Sequence, residues 1–116
     1  MKKMKMIYIA GPYRAGNAWM VEKNIRAAEE ISFQVYSHGA VAICPHTISR
    51  YMSGTLSEGF WIEATLNMLS RCDAMVVVKG WEMSAGTLGE IEYAKKHNIA
   101  IFYDLKDFYD WLDFLQ

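Results

Sequence analysis

Along this chain, short apolar runs alternate with longer segments in which apolar residues recur every three or four positions. Met4 to Ala10, rich in Ile and Tyr and stopped by Gly11-Pro12, predicts a first strand and a turn. Asn17 suits the N-cap of a helix reaching about Ser37, where Val21, Ile25, Ala28, Ser32 and Val35 keep helical spacing. His38-Gly39 ends it. Ala40 to Cys44 reads as a second strand closed by Pro45, and His46 to Ser57, which has no hydrophobic period, as a loop. At about twelve residues that loop is long enough to carry function. Ser57 can cap a second helix through Ser70, and Ala74 to Val78, the most uniformly apolar run, predicts a strand covered on both faces. Gly80 to Gly86 is expected as a loop, Thr87 to His97 as a third helix, Ile99 to Tyr103 as a fourth strand and Leu105 to Leu115 as an aromatic-rich final helix.

The order β-α-β-α-β-α-β-α predicts an α/β fold. It implies a single doubly wound, Rossmann-like (flavodoxin-like) domain over residues 1–116, with a mainly parallel sheet of four or five strands and helices on both faces. Ligands of such sheets sit at the carboxyl ends of the strands, near the switch in strand order. Three loops therefore become candidates: Gly11 to Gly16, Pro45 to Ser57 and Gly80 to Gly89.

Composition narrows the partners. With 12 Lys+Arg against 13 Asp+Glu the formal net charge is −1, which offers no electrostatic footprint for a nucleic-acid polymer or an anionic membrane. Lys2, Lys3 and Lys5 are too few for a basic arm, and only about six apolar residues follow them, below the ~7 to 15 of a signal-peptide core. A cytoplasmic protein is expected. At 116 residues and 53% hydrophobic content, surface scaling leaves roughly 6,500 Å² exposed out of an unfolded ~19,000 Å², so the chain can bury a core without staples. Cys44 and Cys72 close apolar runs without CxxC or Cys/His spacing and read as buried thiols; no metal and no cofactor is implied.

The first candidate loop places Gly11, Pro12, Arg14 and Gly16 between a strand and a helix N-terminus. Free backbone N–H groups and the helix dipole converge there, and the Arg14 guanidinium would pair bidentately with a phosphate or carboxylate. A tight turn with a solvated arginine is the other reading of the same residues. The third loop, Trp81 to Glu90, brings small residues to the end of the most buried strand, as close approach of a ligand requires. Glu90 is expected in the first helical turn, where the dipole favours the ionised carboxylate that a nucleophile needs; it could equally do no more than complement the dipole. Trp19, Tyr51, Met52 and Trp81 gather near the same edge, either to stack on a base or to build an interface.

Tyr8-Ile9-Ala10-Gly11, Glu63-Ala64-Thr65-Leu66-Asn67 before Arg71-Cys72-Asp73, and above all Ser84-Ala85-Gly86-Thr87-Leu88-Gly89-Glu90 resemble the nucleoside 2-deoxyribosyltransferase superfamily. That superfamily includes the 2'-deoxynucleoside 5'-phosphate N-hydrolases. The resemblance spans residues 6 to 103 and rests on the order and spacing of short motifs. It implies that Glu90 attacks C1' of a 2-deoxyribosyl group, that water or an incoming base resolves the glycosyl ester, and that Tyr8 orients the glutamate. It further implies that Arg14 and Ser84, with the Gly11, Pro12 and Gly86 segments, hold a 5'-phosphate. A serine at position 84, where transferases acting on free nucleosides usually carry an acid, favours nucleotides over nucleosides. The implied partner is a small-molecule nucleotide or nucleoside, and family members assemble as homo-oligomers.

One position departs from the pattern. The family usually has an aspartate on the middle helix that helps to protonate the leaving base, and Thr65 stands there. Glu63 lies two positions away, about 200° around the helix. The other candidate acid is His46, which titrates in the useful range and can equally serve as a backbone-bonded loop histidine. Hydrolysis of a (deoxy)nucleoside 5'-monophosphate is the expected activity. Base exchange on nucleosides, cleavage of another N-glycoside such as NAD, and nucleotide binding without turnover are the alternatives.

Overall fold

A computed structural model describes all 116 residues. The elements are β1 (Met6–Ala10), α1 (Ala18–Ser37), β2 (Val41–Ile43), α2 (Pro45–Ile48), α3 (Glu58–Ser70), β3 (Ala74–Val77), a 3₁₀ turn (Trp81–Met83), α4 (Ala85–Lys96), β4 (Ala100–Phe102) and α5 (Leu105–Leu115). The four strands form one parallel sheet in the order β2-β1-β3-β4. This is the doubly wound α/β arrangement, with the direction of winding reversing between β1 and β3.

Residue alternation in β1 divides the core. Ile7 and Ile9 pack with Ala28 and Val35 of α1 and Phe108 and Leu112 of α5. Tyr8 and Ala10 point the other way, into a cluster with Leu69 of α3 and Ile91 and Ala94 of α4. β1 and β3 are buried along nearly their whole length, so their apolar runs are unbroken, whereas the edge strands β2 and β4 are three residues long and only partly covered. Asp73 ties the first two central strands together at their start: its Oδ2 accepts from Met6 N at 2.8 Å, and its own N donates to Met6 O at 2.7 Å.

Local signals set the helix ends. Asn17 Oδ1 accepts from Met20 N, Ser57 caps α3 through Phe60 N, and Asp104 caps α5 through Asp107 N. Gly39, at φ +95°, takes the left-handed position that stops α1, and Asn98, at φ 58°, does the same after α4. Two expected boundaries change. The stretch after Cys44 is not loop from the start, because Pro45 opens the one-turn helix α2. The third long helix begins at Ala85 rather than Thr87, because Ser84 caps it. No helix is long and apolar enough to cross a membrane. Both cysteines are free, Cys44 buried and Cys72 half-buried.

Candidate active site

A cleft of ≈ 1030 Å³ opens at the carboxyl ends of β1 and β3 and is walled by α3 and the start of α4. Its geometry follows from the alternation in β1. Because Tyr8 faces the α3–α4 layer and is fully buried, its hydroxyl meets Glu90 one turn into α4 and donates a hydrogen bond to Oε2. Burial, then the Glu90 charge and this hydrogen bond, hold the phenol far above its ordinary range, so Tyr8 remains a donor. Burial also pushes the Glu90 carboxyl up to about 7, against the opposing pull of the Tyr8 hydrogen bond and of His46.

This corrects the expectation for Glu90. With α4 starting at Ala85, Glu90 lies in the second turn, beyond the reach of the N-terminal dipole, and desolvation governs its charge instead.

His46 sits on α2, 7% exposed, with Nε2 2.8 Å from the Pro12 carbonyl oxygen. A carbonyl only accepts, so Nε2 carries the proton. Nδ1 is buried without a hydrogen-bond partner. In the neutral ring Nδ1 is an acceptor, and only the imidazolium can donate from it. Burial pushes the imidazole down, but the Cys44 thiol, the Pro12 carbonyl and the Glu90 charge together outweigh it and leave His46 above its ordinary value. The Cys44 thiol moves the opposite way: burial raises it, and the His46 and Ser32 side chains bring it below its ordinary value.

Nine of the ten residues singled out from the sequence line this one cleft: Tyr8, Gly11, Pro12, Arg14, His46, Thr65, Ser84, Gly86 and Glu90. Glu63 does not. It is exposed and off the lining stripe of α3, as its angular distance from Thr65 requires, and it is withdrawn as an acid. Thr65 Oγ1 donates to Ile62 O at 3.0 Å and neighbours the Tyr8 hydroxyl. Ser84 Oγ accepts from Thr87 N at 3.2 Å and from Thr87 Oγ1 at 2.9 Å, which leaves its own proton to donate into the cleft. Gly11 is small for a reason inside the protein, since a Cβ there would fall 2.6 Å from Val78 Cβ. Gly86 has open space at the same point. Arg14 Nη2 pairs with Glu58 Oε1 at 2.9 Å.

Of the four large side chains expected at this edge, Trp19, Tyr51 and Met52 are exposed away from the cleft lining, and Trp81 packs on Tyr103 at 5.1 Å between ring centroids. Besides Tyr8 and His46, the rings that line it are Tyr13, which meets His46 edge-on at 5.6 Å, and Trp61, whose Nε1 is buried without a partner. These were missed, although the signal was present: Glu58, Trp61, Ile62, Thr65 and Leu66 recur at i, i+3, i+4, i+7, i+8 and form one face of α3.

Fold and cleft together define a doubly wound α/β protein with a hydrogen-bonded pair of a buried Tyr8 and a half-buried Glu90 at its switch point. The chain belongs to the family described as Domain of unknown function (DUF7768), whose model matches residues 5–104. No curated protein sequence matches it. Among solved structures it is similar to a 2-desoxiribosyltransferase from Leishmania mexicana, with a TM-score of 0.59 at 19% sequence identity. The match covers 84% of this chain and 61% of that one, so the shared fold spans less than two thirds of the longer protein.

Proposed function

We propose that this chain hydrolyses the N-glycosidic bond of a (deoxy)nucleoside 5'-monophosphate, with Glu90 as the nucleophile. The observation that carries the reading is the hydrogen-bonded Tyr8–Glu90 pair inside the cleft, where a carboxylate from α4 is oriented by a phenol from β1. In this mechanism an ionised Glu90 oxygen attacks C1', the C1'–N bond breaks, and the base leaves with the bonding pair. His46, which lines the cleft, supplies the proton as the imidazolium. Water then attacks C1' of the ester and gives its proton to the neutral imidazole, which restores both groups. Two displacements retain configuration, as in a retaining glycosidase. Arg14 and the Ser84 hydroxyl, which both line the cleft, bind the 5'-phosphate.

Base exchange is the second reading, supported by the likeness of fold to the 2-desoxiribosyltransferase. The same ester would then be resolved by an incoming base. The deciding experiment measures free-base release by chromatography from deoxynucleotides, ribonucleotides, deoxynucleosides and NAD, with Glu90→Ala run beside the native protein. Release from monophosphates, abolished in the variant, is the expected result. Release from nucleosides only when an acceptor base is present would assign base exchange, and no release from any substrate would overturn the catalytic reading in favour of binding without turnover.

A further inference from the structure

We propose that Glu58 is a specificity-determining residue: it occupies Arg14 until a phosphate displaces it, and so tunes the cleft between anionic and neutral ligands. This rests on the reading of Arg14 as the phosphate ligand. Arg14 comes from the β1–α1 loop and Glu58 from the first turn of α3, and the 2.9 Å pair joins these two walls across the cleft. Arg14 is the sole lysine or arginine lining the cleft, whereas two carboxylates, Glu58 and Glu90, line it. With Arg14 paired, the cleft presents no uncompensated permanent cation to an incoming anion.

The pair is built to open. Its side chains are 74% and 62% exposed, and ion pairs that exposed are weak. A phosphate dianion engages the guanidinium through two oxygens and replaces a single carboxylate contact. Once displaced, Glu58 remains in the first turn of a helix capped by Ser57, where the dipole stabilises its charge. A neutral nucleoside brings nothing that competes for Arg14, so it enters with the pair intact. Glu58 therefore lowers the affinity for phosphate-bearing ligands selectively, by competition and by like-charge repulsion.

The test follows the Arg14 Nε–H resonance in ¹⁵N-labelled native protein and Glu58→Gln, with Arg14→Gln and the double variant beside them, all titrated separately with inorganic phosphate, deoxyadenosine 5'-monophosphate and deoxyadenosine. Calorimetry supplies the affinities of the variants without Arg14. Glu58→Gln is expected to bind both phosphate probes about three- to tenfold more tightly and deoxyadenosine within twofold of native. Arg14→Gln loses the phosphate contribution, and Glu58→Gln adds nothing on that background. Equal or weaker phosphate binding by Glu58→Gln overturns the proposal, as does the absence of any Arg14 response to phosphate in native and variant alike. The inorganic-phosphate arm separates the two claims: a gain there without base release from any nucleotide leaves Glu58 as the selector and removes the hydrolase reading.

Discussion

At the scale of single residues, burial works against the charge that the proposed chemistry needs. Glu90 must be ionised to attack, yet desolvation raises it from the ordinary 4.5 to about 7. The folded protein therefore binds a proton that the unfolded chain has already lost. Stability falls as pH rises between these values, and the cost is fully present above about 7. The displacement corresponds to at most about 3 kcal/mol. Glu90→Gln keeps an acceptor for the Tyr8 hydroxyl, so it is expected to release no base while gaining roughly 1–3 kcal/mol of stability at pH 8 and little at pH 4.5, read by urea denaturation at both pH values. The native rate is expected to rise with pH through about 7 as Glu90 ionises, and because the surroundings of His46 favour its protonated form, His46→Gln is expected to lower the rate and to alter the pH profile at the limb that belongs to the acid. The two cleft glycines separate in the same way. Gly11→Ala would force a Cβ against Val78 and is expected to cost about 1–3 kcal/mol, whereas Gly86→Ala has room, should leave the melting temperature level or higher, and should weaken ligand binding if the ligand lies against that backbone.

At the scale of elements, the legible features were those with a strong local cause. Asn17 and Ser57 act where the sequence put them, and α5 runs from Leu105 to Leu115 as its aromatic pattern requires. The start of α4 was misread because Ala85-Gly86 looks like loop, and the Ser84 cap that draws both residues into the helix competes with that propensity. Moving the start by two residues moved Glu90 out of the first turn and changed what controls its ionisation. The loop residues among the nine were legible because a parallel sheet delivers its loops to one edge, whereas Tyr8 on β1 and Thr65 on α3 were legible only through the family resemblance. Tyr13, Trp61 and Glu58 were not, because their role depends on which face of α3 and which side of the first loop turn inward. The α3 stripe carries its own prediction. Thr65 stands beside the Tyr8 hydroxyl, so Thr65→Asp places an acid at the leaving base and a second carboxyl near Glu90. If the native rate is limited by base protonation, the variant is expected to release base roughly tenfold faster, with the rising limb of its pH profile shifted upward by repulsion; a slower enzyme with an unshifted profile would show that the threonine is not a missing acid.

At the scale of the whole molecule, surface and size diverge. The radius of gyration of 13.7 Å is close to the roughly 13.4 Å expected of a compact chain of this length. The accessible surface of 7482 Å² nevertheless exceeds the roughly 6,500 Å² typical of a monomer of this mass. The open cleft of ≈ 1030 Å³ is one contributor to that surface. Beside the exposed Arg14–Glu58 pair its border carries apolar side chains: Leu56, Ile62 and Met83 line it, and Tyr51, Met52 and Phe60 lie in the same exposed segment as the first two. A water-exposed apolar rim around a site with titratable groups at its base is suited to being covered by a second copy of the chain, which would also dehydrate Glu90 further. We therefore expect sedimentation equilibrium at micromolar concentration to give a species heavier than 13.3 kDa. Phe60→Glu and Ile62→Glu together should return it to that mass, and base release should fall with them if the covered cleft is the reactive one. A native species at 13.3 kDa across the concentration range would show instead that the apolar rim meets the ligand itself, and the double variant should then weaken nucleoside binding without changing mass.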